Sequence, residues 1–233
     1  MKTVLFDLDG TLLPMEQDAF TKAYFGALSK KLAPHGYEPK PFIGAVLKSV
    51  DAMVANDGAR TNEQVFWREF ADILGDRVIA DKKYFDEFYE VEFNDLKSAS
   101  GFNEKAGATV KALKARGCKI VVATNPVFPI TAQKARLRFA GVDLRDVDYI
   151  TSYENSHYCK PNIEYYSEIL REINCSADEC LMVGNDVDED MIAERLGFRV
   201  FLLTDCMINR SGKDISRYAR GGFDELNGFI SKL

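Results

Sequence analysis

The chain has 233 residues, of which 46% are hydrophobic and 28% charged, and its formal net charge is -6 at pH 7. That length is sufficient for one large domain, or for one domain with a smaller insertion. Nucleic acid is not the expected partner of so acidic a chain, because binding the phosphate backbone requires clustered Lys and Arg. A membrane span is not expected either, since no apolar run reaches the roughly 20 residues that a spanning helix needs.

The cysteine and histidine content means that neither disulfide bonds nor histidine-rich metal sites are expected in this chain. Five cysteines, an odd number without a C-x-x-C pair, are typical of reduced thiols in a cytosolic protein. Only two histidines are present, which leaves little material for a His-rich zinc site. The first apolar segment begins almost at Met1, so a cleavable signal peptide would remove the first predicted strand. We therefore expect a cytoplasmic protein, and the composition indicates no particular oligomeric state.

The N-terminal part of the chain predicts one strand and then a helical region. A short apolar strand at residues 3–6 ends in an acidic sequence. Residues 16–97 show helical periodicity with almost no strand signal, and they predict an inserted all-α domain. Its predicted helices are residues 18–32, 41–54, 62–74 and 82–96. Aromatic residues recur at helical spacing in the last two helices, which indicates a packed core for this small bundle.

From residue 98 onwards, strands and helices alternate along the chain. The predicted strands are residues 119–123, 149–151, 181–183 and 199–203, and the predicted helices are residues 104–116, 131–139, 163–173 and 189–196. Such alternation predicts an α/β fold, with a Rossmann-like parallel sheet flanked by helices. Residues 1–15 and 98–233 would form this core, and ligands are expected beyond the carboxyl ends of its strands.

Two carboxylates occur where the first strand ends. Asp7 and Asp9 stand at alternate positions, and Gly10 allows the backbone to turn sharply after them. Two unit charges about 4 Å apart repel by roughly 4 kcal/mol at an effective dielectric constant of about 20. Paired acids at a strand end therefore indicate a bound cation or a shared proton.

The other predicted strands also lead into polar residues. Thr124 and Asn125 follow the second strand, and they offer a hydroxyl and backbone N–H groups to phosphate oxygens. Lys160 precedes a helix and offers a positive charge. Asn185 and Asp186 follow the strand at 181–183, and they offer oxygen ligands suited to Mg²⁺. Because parallel strands end at one edge of the sheet, we expect these residues to converge.

These residues resemble, in chain order, the four motifs of the haloacid dehalogenase-like (HAD) hydrolase superfamily: residues 7–11, residues 123–125, Lys160 and the acidic residues after Gly184. The resemblance is to the phosphatase branch with a helical cap between the first and second motifs. The resemblance implies that Asp7 attacks phosphorus, and that Asp9 protonates the leaving group and later activates water. It also implies that Thr124 and Lys160 hold the phosphoryl group, and that Asp7 and the backbone carbonyl of Asp9 contact Mg²⁺. The cap, residues 16–97, would then close over a small phosphorylated substrate.

The fourth motif departs from the family pattern, which is Gly-Asp with a second Asp a few residues later. This chain has Asn185 and Asp186 after the glycine, and then Asp190. We favour Asp186 as the direct Mg²⁺ ligand, because a carboxylate is the stronger ligand for a hard cation. Asp190, one helical turn further on, would then accept hydrogen bonds from metal-bound water or from Lys160. In the alternative register Asn185 binds the metal, and Asp186 is a helix N-cap.

The combined prediction is a Mg²⁺-dependent phosphatase that hydrolyses a small phosphorylated metabolite through a phospho-aspartate at Asp7. Two alternatives come from the same superfamily. A 2-haloacid dehalogenase would need neither the metal nor Asp9, and a sugar-phosphate mutase would share all four motifs. A non-catalytic ligand-binding member of the superfamily is a third alternative. The presence of all the acidic residues of the motifs is evidence against it.

Overall fold

A parallel β-sheet forms the centre of the computed structural model, which describes residues 2–232. Its strands are β1 (Thr3–Phe6), β2 (Lys119–Val122), β3 (Tyr149–Ile150), β4 (Cys180–Gly184), β5 (Arg199–Leu203) and β6 (Ala219–Gly221). The strand order is β3-β2-β1-β4-β5-β6, and all neighbours run parallel. The predicted fold class, a parallel sheet flanked by helices, is confirmed.

The two central strands are buried over their whole length. Every residue of β1 and β4 is inaccessible to solvent or nearly so, as expected for strands that are covered on both faces and are therefore continuously apolar. The two strands pair from Thr3 opposite Cys180 to Phe6 opposite Val183. Asp7, which follows β1, and Gly184, the last residue of β4, consequently lie side by side at the carboxyl edge of the sheet.

Four helices lie between β1 and the rest of the core. They are α1 (Gln17–Leu32), α2 (Pro39–Val54), α3 (Asn62–Leu74) and α4 (Arg77–Glu90), followed by a 3-10 segment at Glu92–Ala99. We call residues 17–99 the helical insertion. Its interior is aromatic, and rings such as Phe70 and Phe85 pack edge to face, with centroids 5.7 Å apart.

The remaining helices cover the sheet on both faces. They are α5 (Glu104–Ala115), α6 (Ile130–Phe139), α7 (Ile163–Ile173) and α8 (Phe223–Ile230). Apolar residues of α5, α6 and α8 share one core with Val4 and Phe6 of β1, and this core continues into the helical insertion. Residues of α7 pack with Leu5 in a second core on the opposite face of the sheet. Within residues 2–232, no helix combines the length and apolarity needed to cross a membrane.

The start of α3 is fixed to the sheet-bearing part of the chain by a fully buried asparagine. The Asn62 side-chain amide donates to the backbone oxygen of Pro126 at 3.3 Å and to the Cys159 sulfur at 3.4 Å. Its backbone N–H donates to the oxygen of Ser156 at 2.9 Å. Asn56 in turn donates to the Asn62 side-chain oxygen, so the polar atoms of this buried residue are all used.

Three details of the predicted secondary structure were wrong or missing. The helix expected at 82–96 is α4, which begins at Arg77 and ends at Glu90, with 3-10 structure after it. The helix expected at 189–196 is a 3-10 segment, Met191–Leu196, and the residues before it form a turn held by the side chains of Asp186 and Asp190. Strand β6 and helix α8 were not predicted.

Candidate active site

A buried lysine joins two carboxylates at the carboxyl edge of the sheet. Lys160 Nζ donates to Asp7 Oδ1 at 2.8 Å and to Asp190 Oδ1 at 2.6 Å. Burial lowers the pKa of Lys160, but the Asp190 and Asp7 carboxylates outweigh that effect and raise it well above its usual value. The ammonium is therefore charged throughout the physiological pH range, and it offsets the repulsion between the two acids.

Asp190 also holds the turn that follows β4. Its second oxygen, Oδ2, accepts a hydrogen bond from the Asp186 backbone N–H at 2.9 Å. Burial raises the pKa of Asp190, and the neighbouring Lys160 opposes this shift. The carboxylate lies so close to Gly184 that a β carbon there would overlap it. A glycine is required at this position because Asp190 needs that space to reach Lys160.

Asn185 uses both polar atoms of its side chain to hold loops together. Its Oδ1 accepts from the Thr11 hydroxyl at 2.9 Å, and its Nδ2 donates to the Cys206 backbone oxygen at 2.7 Å. Gly10, which has a φ of 85°, turns the first motif against this amide, and a β carbon there would collide with it. Asn185 therefore connects the loop after β1 with the loop after β5.

Asp186 has one occupied and one unoccupied carboxylate oxygen. Oδ1 accepts from the backbone N–H groups of Asp188 at 2.8 Å and Glu189 at 3.0 Å. Oδ2 makes no hydrogen bond to the residues that the structure describes. Asp186 thus caps the local turn with one oxygen, as in the alternative register, and still has a second oxygen for a cation.

Nearly all the predicted site residues line one acidic cavity of about 150 Å³. The predicted residues in its wall are Asp7, Asp9, Thr124, Asn125, Asn185, Asp186 and Asp190. Lys160 contacts the site through Asp7. Glu189, which belongs to the acidic run expected to offer oxygen ligands, also lines the cavity, and three further wall residues were not predicted, namely Gln17, Ile208 and Arg210. Five acidic side chains and one basic side chain therefore surround the cavity. Burial raises the pKa of three of these acids, Asp9, Glu189 and Asp190.

Sequence reasoning also missed an arginine that contacts Asp9. Arg136 of α6, whose side chain is 1% exposed, donates to Asp9 Oδ2 and to the Gln133 side-chain oxygen. Its guanidinium lies 4.5 Å from the centroid of the Phe128 ring. The available signal was its position: Arg136 shares one helical face with the buried Ala132, an unusual place for an unpaired charge.

Two opposing effects set the protonation of Asp9. Burial raises its pKa and the Asp7 charge adds to this, whereas Arg136 lowers it, with a net rise. The second oxygen, Oδ1, is buried and has no hydrogen-bond partner among residues 2–232. A carboxyl group with a raised pKa and one oxygen free at the wall of a cavity can donate a proton to a bound ligand.

The oxygen atoms that face the cavity are suitable ligands for a hydrated Mg²⁺ ion. They do not form a site in which protein side chains alone surround a metal. No group of three or more His, Cys, Asp or Glu side chains in the described part of the chain is arranged to enclose a metal. Mg²⁺ retains several waters and typically takes one or two protein carboxylates. Asp7 and Asp186 face the same cavity. The Asn125 side-chain oxygen is buried there without a hydrogen-bond partner in residues 2–232, so it can accept from a water or a ligand.

Comparison with solved structures identifies several proteins of the same fold. A 2-haloacid dehalogenase from Pseudomonas syringae has a TM-score of 0.65 at 21% sequence identity, covering 100% of this chain and 99% of that chain. A HAD phosphatase from Thermococcus onnurineus has a TM-score of 0.59 at 19% identity, covering 99% and 98%. The HAD-hydrolase YfnB from Bacillus subtilis, solved bound to magnesium, has a TM-score of 0.55 at 17% identity, covering 98% of each chain.

Sequence comparison supplies the family. Among curated proteins, no sequence matches this chain significantly. A family model described as haloacid dehalogenase-like hydrolase matches residues 1–197, which include every predicted site residue. The predicted resemblance is confirmed, and the chain belongs to the haloacid dehalogenase-like hydrolases.

Proposed function

We propose that this hydrolase is a Mg²⁺-dependent phosphatase that cleaves a small phosphate monoester through a phospho-aspartate on Asp7. The observation that carries the proposal is the charge of the cavity, where five acidic side chains face one basic side chain. A phosphate dianion cannot approach such a wall unless a cation compensates the repulsion. Carboxylate oxygens are the ligands that Mg²⁺ prefers, so the same acids that repel phosphate would bind this cation.

In the first step, Asp7 acts as the nucleophile. Its Oδ1 is held by Lys160, and its Oδ2 makes no hydrogen bond to the described residues, which leaves it available for attack. Oδ2 forms a bond to phosphorus while the bond from phosphorus to the ester oxygen breaks. Asp9 donates a proton to the departing oxygen, and the raised pKa of Asp9 favours the protonated form that this step requires.

In the second step, water replaces Asp7 on phosphorus. Asp9, now ionised, accepts a proton from the attacking water, and the bond between phosphorus and Asp7 breaks. Inorganic phosphate leaves, and both carboxyl groups return to their starting states. Thr124 and Asn125 lie in the cavity wall, where they would bind the phosphoryl oxygens in both steps.

The cation would be held by Asp7, Asp186 and the backbone carbonyl of Asp9. When bound, Mg²⁺ supplies positive charge that polarises the phosphoryl group. Asp190 would position Lys160 and the backbone of Asp186, since it bonds to both. Asn185 would keep the neighbouring loops in place, because both of its polar side-chain atoms are already used.

We also propose that residues 16–97 act as a cap on a core formed by residues 1–15 and 98–233. Gln17, at the start of α1, lines the acidic cavity, which places the helical insertion next to the proposed reaction. A cover of this kind excludes bulk water from the phosphoryl group and limits the size of the substrate. A small phosphorylated metabolite in the cytoplasm is the substrate class that fits.

The proposal is tested by measuring phosphate release from phenyl phosphate with and without Mg²⁺. We expect turnover with the ion and none after chelation. Release of halide from 2-haloacids without metal would instead identify a dehalogenase, and conversion of a sugar phosphate into its isomer without free phosphate would identify a mutase.

The covalent step has its own test. Asp7→Asn and Asp9→Asn are nearly isosteric substitutions, and both should lose most turnover. In the presence of a substrate with a good leaving group, only the Asp9→Asn protein should gain the mass of a phosphoryl group. Peptide mapping should locate that group on Asp7; phosphorylation of another residue contradicts the mechanism.

A further inference from the structure

A second cavity, of about 270 Å³, opens next to the acidic cavity. Asp9 and Gln17 line both cavities, so the two meet at the carboxyl group proposed to protonate the ester oxygen. The rest of the wall comes mainly from apolar and aromatic side chains of the helical insertion and of the loop after β2. The part of a substrate beyond its ester oxygen would therefore enter this second cavity.

The wall of this cavity offers no free charge. Its only acidic and basic residues are Asp9 and Arg136, and these two are paired with each other. Tyr24 is neutral, since burial raises its pKa to about 12, and its hydroxyl is already bonded to that of Tyr89 at 2.7 Å. A carboxylate, amine or second phosphate on the substrate would lose its hydration here without gaining a partner of opposite charge.

The size of the cavity and the small number of polar groups in its wall define the ligand further. An engineered apolar cavity of about 150 Å³ is known to bind benzene, so this larger space suits one ring with a substituent, or an alkyl chain of roughly six to ten carbon atoms. The wall holds few neutral polar side chains, among them Gln17, Thr21 and Trp67, whose indole N–H interacts with the Tyr153 hydroxyl. These groups can accommodate one polar atom on an otherwise apolar ligand.

We propose that the substrate is the phosphate monoester of an apolar alcohol or phenol, whose hydrocarbon body fills this cavity while its phosphate occupies the acidic one. This inference rests on the proposed phosphatase function. It distinguishes the chain from phosphatases of phosphorylated carboxylic acids, whose carboxylate would find no partner of opposite charge in this wall. The mainly apolar lining also favours a hydrocarbon body over a sugar.

A homologous series of alkyl phosphates tests the proposal in the unmodified protein. Ethyl, butyl and hexyl phosphate have leaving groups of similar basicity, so differences in kcat/KM report contacts with the chain. Each buried methylene should raise kcat/KM roughly fourfold. Glycerol phosphate, which has hydroxyl groups on a short chain, should be the poorest substrate. A flat series, or preference for glycerol phosphate over butyl phosphate, would overturn the assignment.

Two valines one turn apart on α2 provide a matched pair of variants. Val50 lines the apolar cavity, whereas Val54 is exposed and does not. Val50→Phe should reduce kcat/KM for hexyl phosphate at least tenfold and so flatten the dependence on chain length, and Val54→Phe should leave the series unchanged. If Val50→Phe does not fold, Phe25→Ala enlarges the same cavity and should shift the preference towards longer chains. If kcat/KM depends on chain length in the same way in Val54→Phe and in the variant of the cavity wall, the proposal is contradicted.

Binding without turnover separates this inference from the proposed function. Trp67 is the only tryptophan in the chain, and it lines the cavity, so its fluorescence reports occupancy directly. With Mg²⁺ present, hexylphosphonate should change the emission at a concentration at least tenfold lower than methylphosphonate. A chain-length effect on fluorescence without phosphate release from any ester would refute only the phosphatase proposal. Phosphate release without any effect of chain length, on kcat/KM or on fluorescence, would refute only the proposal that the substrate is apolar.

Discussion

Arg136 donates a hydrogen bond to the Asp9 carboxylate from a position that is almost completely buried, while Asp9 itself faces two cavities. The side chain of Arg136 is 1% exposed and that of Asp9 is 26% exposed. The carboxylate that is proposed to move a proton is therefore hydrogen-bonded at one oxygen to a buried arginine, and its other oxygen has no partner among residues 2–232.

The first prediction concerns the stability of this pair. Arg136→Met should lower the free energy of unfolding, near the lower end of the about 3–5 kcal/mol observed when a buried ion pair is broken, because Asp9 retains some contact with solvent. In metal-free urea titrations, the double variant Arg136→Met/Asp9→Asn should be more stable than the sum of the single effects by about 0.5–3 kcal/mol. Strict additivity would mean that the two residues do not interact.

The second prediction concerns pH. Arg136 favours the ionised form of Asp9 and so lowers its pKa. Removing that charge in Arg136→Gln should raise the pKa of Asp9, so the alkaline limb of kcat/KM, where protonated Asp9 is lost, should move to higher pH. Arg138→Gln is the control, because Arg138 lies on the same helix but is exposed. An unchanged limb in Arg136→Gln would show that Asp9 is not the proton donor.

The third prediction concerns Lys160. Lys160→Met retains most of the side-chain volume but leaves Asp7 and Asp190 close together without a cation, so we expect lower thermal stability and a loss of kcat of about 10²–10³. Lys134→Met removes an exposed lysine from α6 and should change neither quantity. Turnover near that of the wild type in Lys160→Met would exclude Lys160 from the phosphate site.

The fourth prediction separates the two registers of the metal site. Asp186→Asn retains an oxygen that can cap the turn but removes a negative charge, so Mg²⁺ affinity measured by calorimetry should fall at least tenfold with little change in stability. Asn185→Ala removes the bonds to Thr11 and Cys206, so it should cost about 1–3 kcal/mol of stability while metal affinity changes less. The reverse ranking of affinities would assign the metal to Asn185.

The sheet and the convergence of polar residues on its edge could be predicted from sequence. Parallel buried strands are short apolar runs, and residues that follow them, such as Asp7 and Thr124, necessarily meet at one edge. Arg136 could not be assigned to the site in the same way. It lies within a helix, thirteen residues or more from any strand end, and only the packing of α6 against the first motif brings it to Asp9.

The turn after β4 was difficult for a different reason. Its acidic residues have the spacing of a helix start, and periodicity alone cannot show that Asp186 and Asp190 bind the local backbone instead. Strand β6 has only three residues, which is too few for a repeating pattern, and it was missed together with the eight-residue helix α8 that follows it. The turn after β4, strand β6 and helix α8 all depend on contacts between residues that are distant in the sequence.

The buried asparagine at the start of α3 connects the two halves of the proposed substrate. Asn62 bonds to Pro126 and Cys159, and these residues are the immediate chain neighbours of Asn125 and Lys160. Trp67, in the wall of the apolar cavity, lies on the same helix as Asn62. A shift of α3 caused by a hydrocarbon group that fits poorly would therefore displace the phosphate-binding loops, and rejection of a wrong substrate would appear in kcat as well as in KM.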